Sequence, residues 1–359
     1  MRRFTATYAA VAALAGPALL GAPANAQTID LSDETVTIVH NASPGGSTGL
    51  SSQVLADAWA QTMEGDPTIV VQSEPGGALT QGINRVLDAR PDGLTLGYLA
   101  WQGSTRILDP EELQIPFEDF GVIGGIGGAT FFVTATSEAV PSPEALPETE
   151  SLRFGGFSAR SAPSMQLAAA LDLLGVDWSF VSGMSGDGPL RAALERGEIE
   201  AYTATAPIWL SDLRDGPIAA GDTQQFFHFG TADDDGNMVA ADAFMDEIPT
   251  FQEYYTDLMG EEPSGEAWDM MMFHSRVSVP VNWIIVAPPG TPDEHVQMLR
   301  ESFREAVESD AYKEAANRVF GSPPNIVHYE AMEKIVEDVQ TTPQEMRDLL
   351  RRYIDEMSG

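Results

Sequence analysis

The sequence has 359 residues, with 19 Lys and Arg against 54 Asp and Glu, a formal net charge of −35, and no cysteine. So acidic a surface argues against nucleic acid or an anionic membrane as partner, and the lack of thiols excludes disulfides and a thiol-linked lipid anchor. The length exceeds one ordinary core, so two soluble domains are expected, wrapped in a solvated acidic shell.

Arg2 and Arg3, an apolar run over 8–20 and the tripeptide Ala24-Asn25-Ala26 follow the order of a secretory signal peptide, 1–26. The run is broken by Gly16 and Pro17 and is too short to span a bilayer. The mature chain is then expected in the periplasm, starting at Gln27 and running 359 − 26 = 333 residues. The removed segment holds two arginines and no acid, so the mature charge is 17 − 54 = −37. An anionic ligand must therefore be held by local donors against an unfavourable overall field.

Residues 36–40 read as a buried strand, followed by the turn Ser43-Pro44-Gly45-Gly46-Ser47-Thr48 and a helix to about 63. A second strand (68–72), the turn Pro75-Gly76-Gly77-Ala78 and a helix (79–89) repeat the unit, and a third strand (95–99) leads to Trp101 and Gln102. Strand, Gly-rich turn and helix at this spacing predict βαβ units and a parallel sheet. The Gly-rich stretch 121–128 precedes the β-branched and aromatic run Phe131-Phe132-Val133, not a helix, so it reads as an interdomain connection and not a dinucleotide fingerprint.

The pattern restarts after a Pro/Glu-rich loop at 140–150. Strands at 152–156, 178–181 and 199–204 alternate with turns at 157–162 and 182–188 and helices at 163–174 and 189–196. A further apolar strand is expected at 279–287, then helices at 292–309, 312–319, 331–340 and 343–357, with this tail returning to the first lobe. The expected architecture is α/β with two lobes and two crossovers. Lobe 1 is formed by 27–127 and 283–359, and lobe 2 by 128–282.

Ligands of such sheets sit at the carboxyl ends of the strands, where the turns lie. Helix N-termini offer unpaired N–H groups and the positive dipole end, which suits an anion, and glycine lets it approach the backbone. Ser47 and Thr48 can cap the helix, contact a carboxylate, or do both. Ser158, Ser161 and Ser164 allow the same in lobe 2, where Arg160 can clamp a carboxylate or serve as a surface ion-pair partner. Ser185, Gly186 and Asp187 in the next turn and Thr205 after the following strand complete the expected site. Trp101 either lines the cleft or packs at its rim.

Signals for catalysis are weak. Ser185, in Gly183-Met184-Ser185-Gly186-Asp187, and Ser158, in Gly156-Phe157-Ser158-Ala159-Arg160, both lack the second glycine of a nucleophile elbow. The five histidines show no metal-ligand spacing. Asp233-Asp234-Asp235-Gly236-Asn237 begins like a calcium loop, but Phe244 stands where its Glu belongs, so an acidic turn is expected. Neither metal nor cofactor is expected.

Several segments resemble, in order and spacing, the periplasmic binding components of tripartite tricarboxylate transporters, the Bug receptors. Thr37-Ile38-Val39 with Pro44-Gly45-Gly46-Ser47-Thr48 is similar to their first strand and loop, and Arg90-Pro91-Asp92-Gly93-Leu94-Thr95-Leu96 to their "PDG-x-TL" signature. Ile248-Pro249-Thr250-Phe251-Gln252-Glu253 resembles "VPTFAE", and Ala287-Pro288-Pro289-Gly290-Thr291-Pro292 resembles "APAGTP". The resemblance implies a Venus-flytrap fold of type II and a small organic acid held largely by backbone amides. It also implies a monomeric receptor serving a large and a small integral membrane subunit. The chain departs from the family pattern at Gly49, where Asp is usual, at Gln166, where His is common, and at 183–186, which replaces a "YKG" turn. Extra material lies between Pro207 and Arg276. A sensory subunit and a secreted serine hydrolase are the alternative readings.

Overall fold

The computed structural model describes residues 31–42, 47–76, 80–101, 117–127, 131–184, 187–233, 235–240, 248–320 and 324–359. Thirteen strands are found among them. Lobe 1 uses β1 (Thr35–His40), β2 (Thr68–Ser73), β3 (Thr95–Ala100) and β4 (Gly121–Ile126). Lobe 2 uses β5 (Phe131–Thr136), β6 (Ser151–Gly155), β7 (Asp177–Val181), β8 (Ala201–Thr205) and β9 (Thr223–Phe229). A two-residue hairpin, β10 (Thr231–Ala232) and β11 (Met238–Val239), follows, and then β12 (Trp283–Ala287) and β13 (Ile326–His328).

The two large sheets are built alike. In the first the order is β2-β1-β3-β12-β4-β13, and in the second β7-β6-β8-β5-β9. In each, one antiparallel strand enters from the other lobe and lies between parallel strands: β12 pairs antiparallel with β3 and β4, and β5 with β8 and β9; the first sheet adds β13, antiparallel to β4, at its edge. This is the two-lobed α/β fold expected from the repeated units, the chain passing between lobes after Gly127 and again at 278–282.

The crossovers orient the lobes' strand ends. Ile126 ends β4 and Phe131 begins β5, and Phe131 lies opposite Thr205, the last residue of β8. In the same way Trp283 begins β12 opposite Ala100 and Ile126, the last residues of β3 and β4. The carboxyl ends of the parallel strands of both lobes therefore adjoin the same short connectors.

Helices α1 (Ser47–Trp59) and α2 (Thr80–Leu87) follow β1 and β2, while α3 (Ala162–Leu174) and α4 (Asp187–Glu195) follow β6 and β7. Past β9 come α5 (Phe251–Met259), α6 (Glu266–Val277), α7 (Asp293–Glu308), α8 (Asp310–Phe320), α9 (Tyr329–Gln340) and α10 (Gln344–Ser358). Trp59, Tyr98 and Phe303 anchor one apolar cluster of lobe 1, and Trp59 meets Phe303 edge-on at 5.6 Å. A second cluster runs from Leu99 and Trp101 through Met270 to Phe273 of α6 into Leu167 and Phe154 of lobe 2, so the lobes share buried surface on the connector side.

Two expectations are corrected. The stretch read as an interdomain connection is largely β4, inside the lobe 1 sheet; only from Gly127 does the chain cross. Its glycines serve packing, since a Cβ on Gly124 would stand 2.6 Å from Phe303 and one on Gly125 2.7 Å from Val281. The tail also does not return to lobe 1 as a whole. α7 and α8 pack on α1, but α10 lies against α3, α6 and β7 of lobe 2. Tyr353 Oη donates to Asp172 at 2.5 Å, and Asp172 also accepts the Trp178 indole N–H at 2.7 Å.

The region between Pro207 and Arg276 forms a helical passage, Trp209–Ile218, with π-type turns that accommodate Pro217 and a non-helical Gly216. β9, α5 and most of α6 follow within it. α5 starts on a capping box in which Thr250 and Glu253 exchange hydrogen bonds. Asp233 forms the expected acidic turn, its carboxylate accepting the Asp235 and Asn237 N–H groups.

A candidate ligand-binding crevice

Four helices, α1 and α2 in lobe 1 and α3 and α4 in lobe 2, begin just past the carboxyl ends of parallel strands. Each carries partial positive charge at its N-terminus, on the strand-end side of the sheet from which the connectors leave. In a chain of formal charge −35 they supply the local donors that an anion requires.

In lobe 1, Ser47 opens α1 and is exposed, whereas Thr48 is buried and its Oγ1 accepts the Trp283 indole N–H at 3.0 Å. Thr48 thus ties the first turn of α1 to β12. Asn41, at the end of β1, is fully buried, and its Oδ1 accepts the Ala100 N–H at 2.9 Å, tying the ends of β1 and β3 together. Gly82 in α2 packs on Asn41 so closely that a Cβ there would stand 2.6 Å from the Asn41 Cβ. Gly76 is exposed with φ of +128°, a backbone state that suits glycine. Ser43, Pro44, Gly45, Gly46, Gly77, Ala78 and Gln102 lie outside the described residues, as do Ser185 and Gly186 of lobe 2.

Trp101 is buried at the lobe boundary. Its indole N–H donates to the Val277 carbonyl at 2.7 Å, and Phe117 meets it edge-on at 5.4 Å. Its donor is engaged by α6, so any contact with a guest would come from the ring.

In lobe 2, Ser161 precedes α3 in extended conformation but makes no capping bond to the helix backbone. Its Oγ instead lies 2.8 Å from the Ser158 carbonyl and 2.8 Å from the Ser164 Oγ. Ser158 Oγ accepts the Arg160 N–H at 3.1 Å, and the Arg160 side chain is exposed. The N-terminus of α3 is therefore ringed by hydroxyls. The turn packs tightly at Gly156, where a Cβ would stand 2.3 Å from Ser164 Oγ.

Asp187 and Thr205 are brought together. The Asp187 carboxylate accepts the Thr205 N–H at 3.1 Å and the Thr205 hydroxyl at 3.2 Å, pinning the start of α4 to the end of β8. Burial raises its pKa, the bonds from Thr205 draw it back, and Asp212 adds to the rise. Gln166 is fully buried against α6, with Nε2 3.5 Å from the Met271 carbonyl. Among the described residues no group of His, Asp and Glu is arranged to hold a metal ion.

Sequence reasoning missed Asn41 and Trp283, whose partners lie 59 and 235 residues away in the chain. Two depressions on lobe 2, of about 710 and about 460 Å³, are lined by residues such as Gln252 and Glu262, or Trp209 and Gln225; neither includes Ser47, Trp101, Ser161 or Asp187.

No protein-family model matches the chain. A curated Cupriavidus necator protein, described as a UPF0065 protein in the gbd 5′ region, is 23% identical over 320 residues, which span 88% of this chain and 87% of that protein. A TctC solute-binding protein from Polaromonas, solved without ligand, superposes with a TM-score of 0.65 at 18% identity, covering 89% of this chain and 98% of that one. The periplasmic binding protein BugD gives 0.55 at 16% identity over 89% and 97%. The fold is that of the TctC/Bug solute-binding proteins. MatC from Rhodopseudomonas palustris with bound malate has a TM-score of 0.53 at 20% identity, covering 90% and 98% of the two chains. The TctC/Bug fold accounts for the two like-built lobes and for the crossovers between them. Among the described residues no helix is long and apolar enough to cross a membrane.

Proposed function

We propose that this chain is an extracytoplasmic receptor that captures a small organic carboxylate between its lobes and delivers it to a tripartite tricarboxylate-type transporter in the membrane. The observation that carries the reading is the placement of four helix N-termini at strand ends of two lobes that share one set of connectors. Relatives of the same fold, MatC with malate and an R. palustris protein with adipate, hold dicarboxylates, which supports an organic acid as the guest. The signal-peptide pattern of residues 1–26 supports export to the periplasm. Closure of the lobes on the guest would present a changed surface to the membrane subunits.

A binding role is favoured over hydrolysis by the state of Ser158. Its Oγ is engaged by the Arg160 N–H, and among the described residues no hydrogen bond joins it to a histidine.

The test is thermal unfolding of the purified mature protein against mono-, di- and tricarboxylates and aromatic acids. A ligand at a hundred times its Kd adds about 2.7 kcal/mol of stability, so at least one acid is expected to raise Tm by several degrees. An unchanged Tm across the whole panel would overturn the reading.

A further inference from the structure

The four helix N-termini of the crevice are not equivalent. α1, α2 and α3 carry no acidic residue in the first turn, whereas α4 begins on Asp187. A carboxylate at that place cancels the positive helix end locally and turns it into an acceptor.

Asp187 is fixed there. Both its oxygens accept from Thr205, at 3.1 and 3.2 Å, so the group is tied to the end of β8, the strand end that faces the crossover at Phe131. It is half-buried, and among the described residues no cation pairs with it. Arg191, one turn further along α4, is 3.0 Å from Asp212 and 3.9 Å from Glu195. An ionised carboxylate offers about four acceptor positions; the Thr205 bonds occupy two and the Asp187 N–H engages the group as well. The positions left over suit a donor on a guest and repel an anion.

The first-turn N–H groups of α1 and the hydroxyl-ringed start of α3 remain as the anion-binding end of the crevice. We propose that the guest is a monocarboxylate whose far end donates a hydrogen bond, a hydroxyl or an ammonium, and that Asp187 is the residue that rejects a second carboxylate. This rests on the binding reading above and departs from the dicarboxylates held by the two R. palustris relatives.

The experiment is calorimetric titration of the mature wild-type protein and of Asp187→Asn. The probes are two length-matched series: butanoate, 4-hydroxybutanoate, 4-aminobutanoate and succinate; hexanoate, 6-hydroxyhexanoate, 6-aminohexanoate and adipate. Asn keeps an acceptor oxygen for the Thr205 N–H, and an unchanged Tm of the ligand-free variant reports an intact fold. Wild type is expected to bind an ω-hydroxy or ω-amino acid about tenfold or more tighter than the dicarboxylate of equal length. In Asp187→Asn that preference is expected to shrink by about tenfold or to reverse. The hydroxyl and amine arms show which donor is preferred. A dicarboxylate bound as tightly as its ω-hydroxy and ω-amino counterparts by wild type, or an unchanged ratio in the variant, would overturn the assignment of Asp187 while leaving the receptor reading standing. Silence of both proteins toward every probe would likewise overturn the assignment of Asp187, while the receptor reading falls only with the wider thermal-unfolding panel.

Discussion

Lobe 1 and lobe 2 follow the carboxyl ends of their parallel strands with the same kind of element and different chemistry. In lobe 1, α1 and α2 start without an acid and are fastened by the Trp283 indole N–H donated to Thr48 and by Gly82 packed on Asn41. In lobe 2, α3 starts among serine hydroxyls and α4 on a carboxylate pinned by Thr205. Both interiors hold buried histidines: His40 at the end of β1 in lobe 1, His228 in lobe 2 and His274 of α6 at its border, with the largest shifts at His228 and His274. Under the proposed function, lobe 1 holds the carboxylate and lobe 2 is the part that discriminates.

Acid should separate the lobes most strongly. Burial holds His228 down to about 4, against an opposing pull from Glu253 and nearby carbonyls, and holds His274 down to about 3. Both are neutral in the folded protein, and the unfolded chain takes up their protons near pH 6.5. The unfolded state therefore binds more protons between about pH 6.5 and 4, and stability falls as pH falls through that window. Each histidine should cost roughly 2 kcal/mol by pH 5. Hydrogen exchange at pH 5 is expected to show lobe 2 and α6 losing protection before β1 to β4. Uniform loss would break the comparison.

Gly82→Ala comes next. The added Cβ would meet backbone and Cβ of Asn41 at 2.7 and 2.6 Å, which cannot give way without moving β1. We expect a loss of about 2 to 3 kcal/mol in urea unfolding, whereas Gly156→Ala in lobe 2 meets the ends of Ser164 and Phe180 side chains and should cost less. Equal losses would show lobe 1 to be no stiffer there than lobe 2.

A smaller effect is expected for Thr48→Val, which leaves the buried Trp283 indole N–H without its acceptor and should cost about 1 to 2 kcal/mol. Ser161→Ala should fall within about 1 kcal/mol, because its hydroxyl makes no capping bond and Ser164 stays in place. Its effect should appear in ligand affinity instead, measured by calorimetry. An equally small loss of stability for Thr48→Val would mean that the indole bond is not what fastens α1.

The repeated strand, turn and helix were legible because parallel strands and the helices between them impose local periodicity, and β1 to β3 and β6 to β8 fall where that pattern puts them. Local signals mislead where a residue answers to a distant one. Gly124 and Gly125 look like an interdomain connection because the reason for them, Phe303 and Val281, lies more than 150 residues further on. The docking of α10 on lobe 2 was hidden because an amphipathic helix shows that a face is buried, not against what. At the site, Asp187 and Thr205 were both visible as rim residues, but their pairing was not. Trp101 read equally as cleft or rim, and only the Val277 carbonyl reveals that its donor is engaged.

The central claim is that helix N-termini from both lobes converge on one carboxylate-bearing guest. A crystal structure of the mature protein with the tightest-binding acid tests it most directly. The account predicts density between the lobes, with a carboxylate within hydrogen-bonding distance of the first-turn N–H groups of α1 and the guest's other end near Asp187. A guest bound on one lobe's outer surface, or a crevice left empty while the acid is held elsewhere, would contradict it.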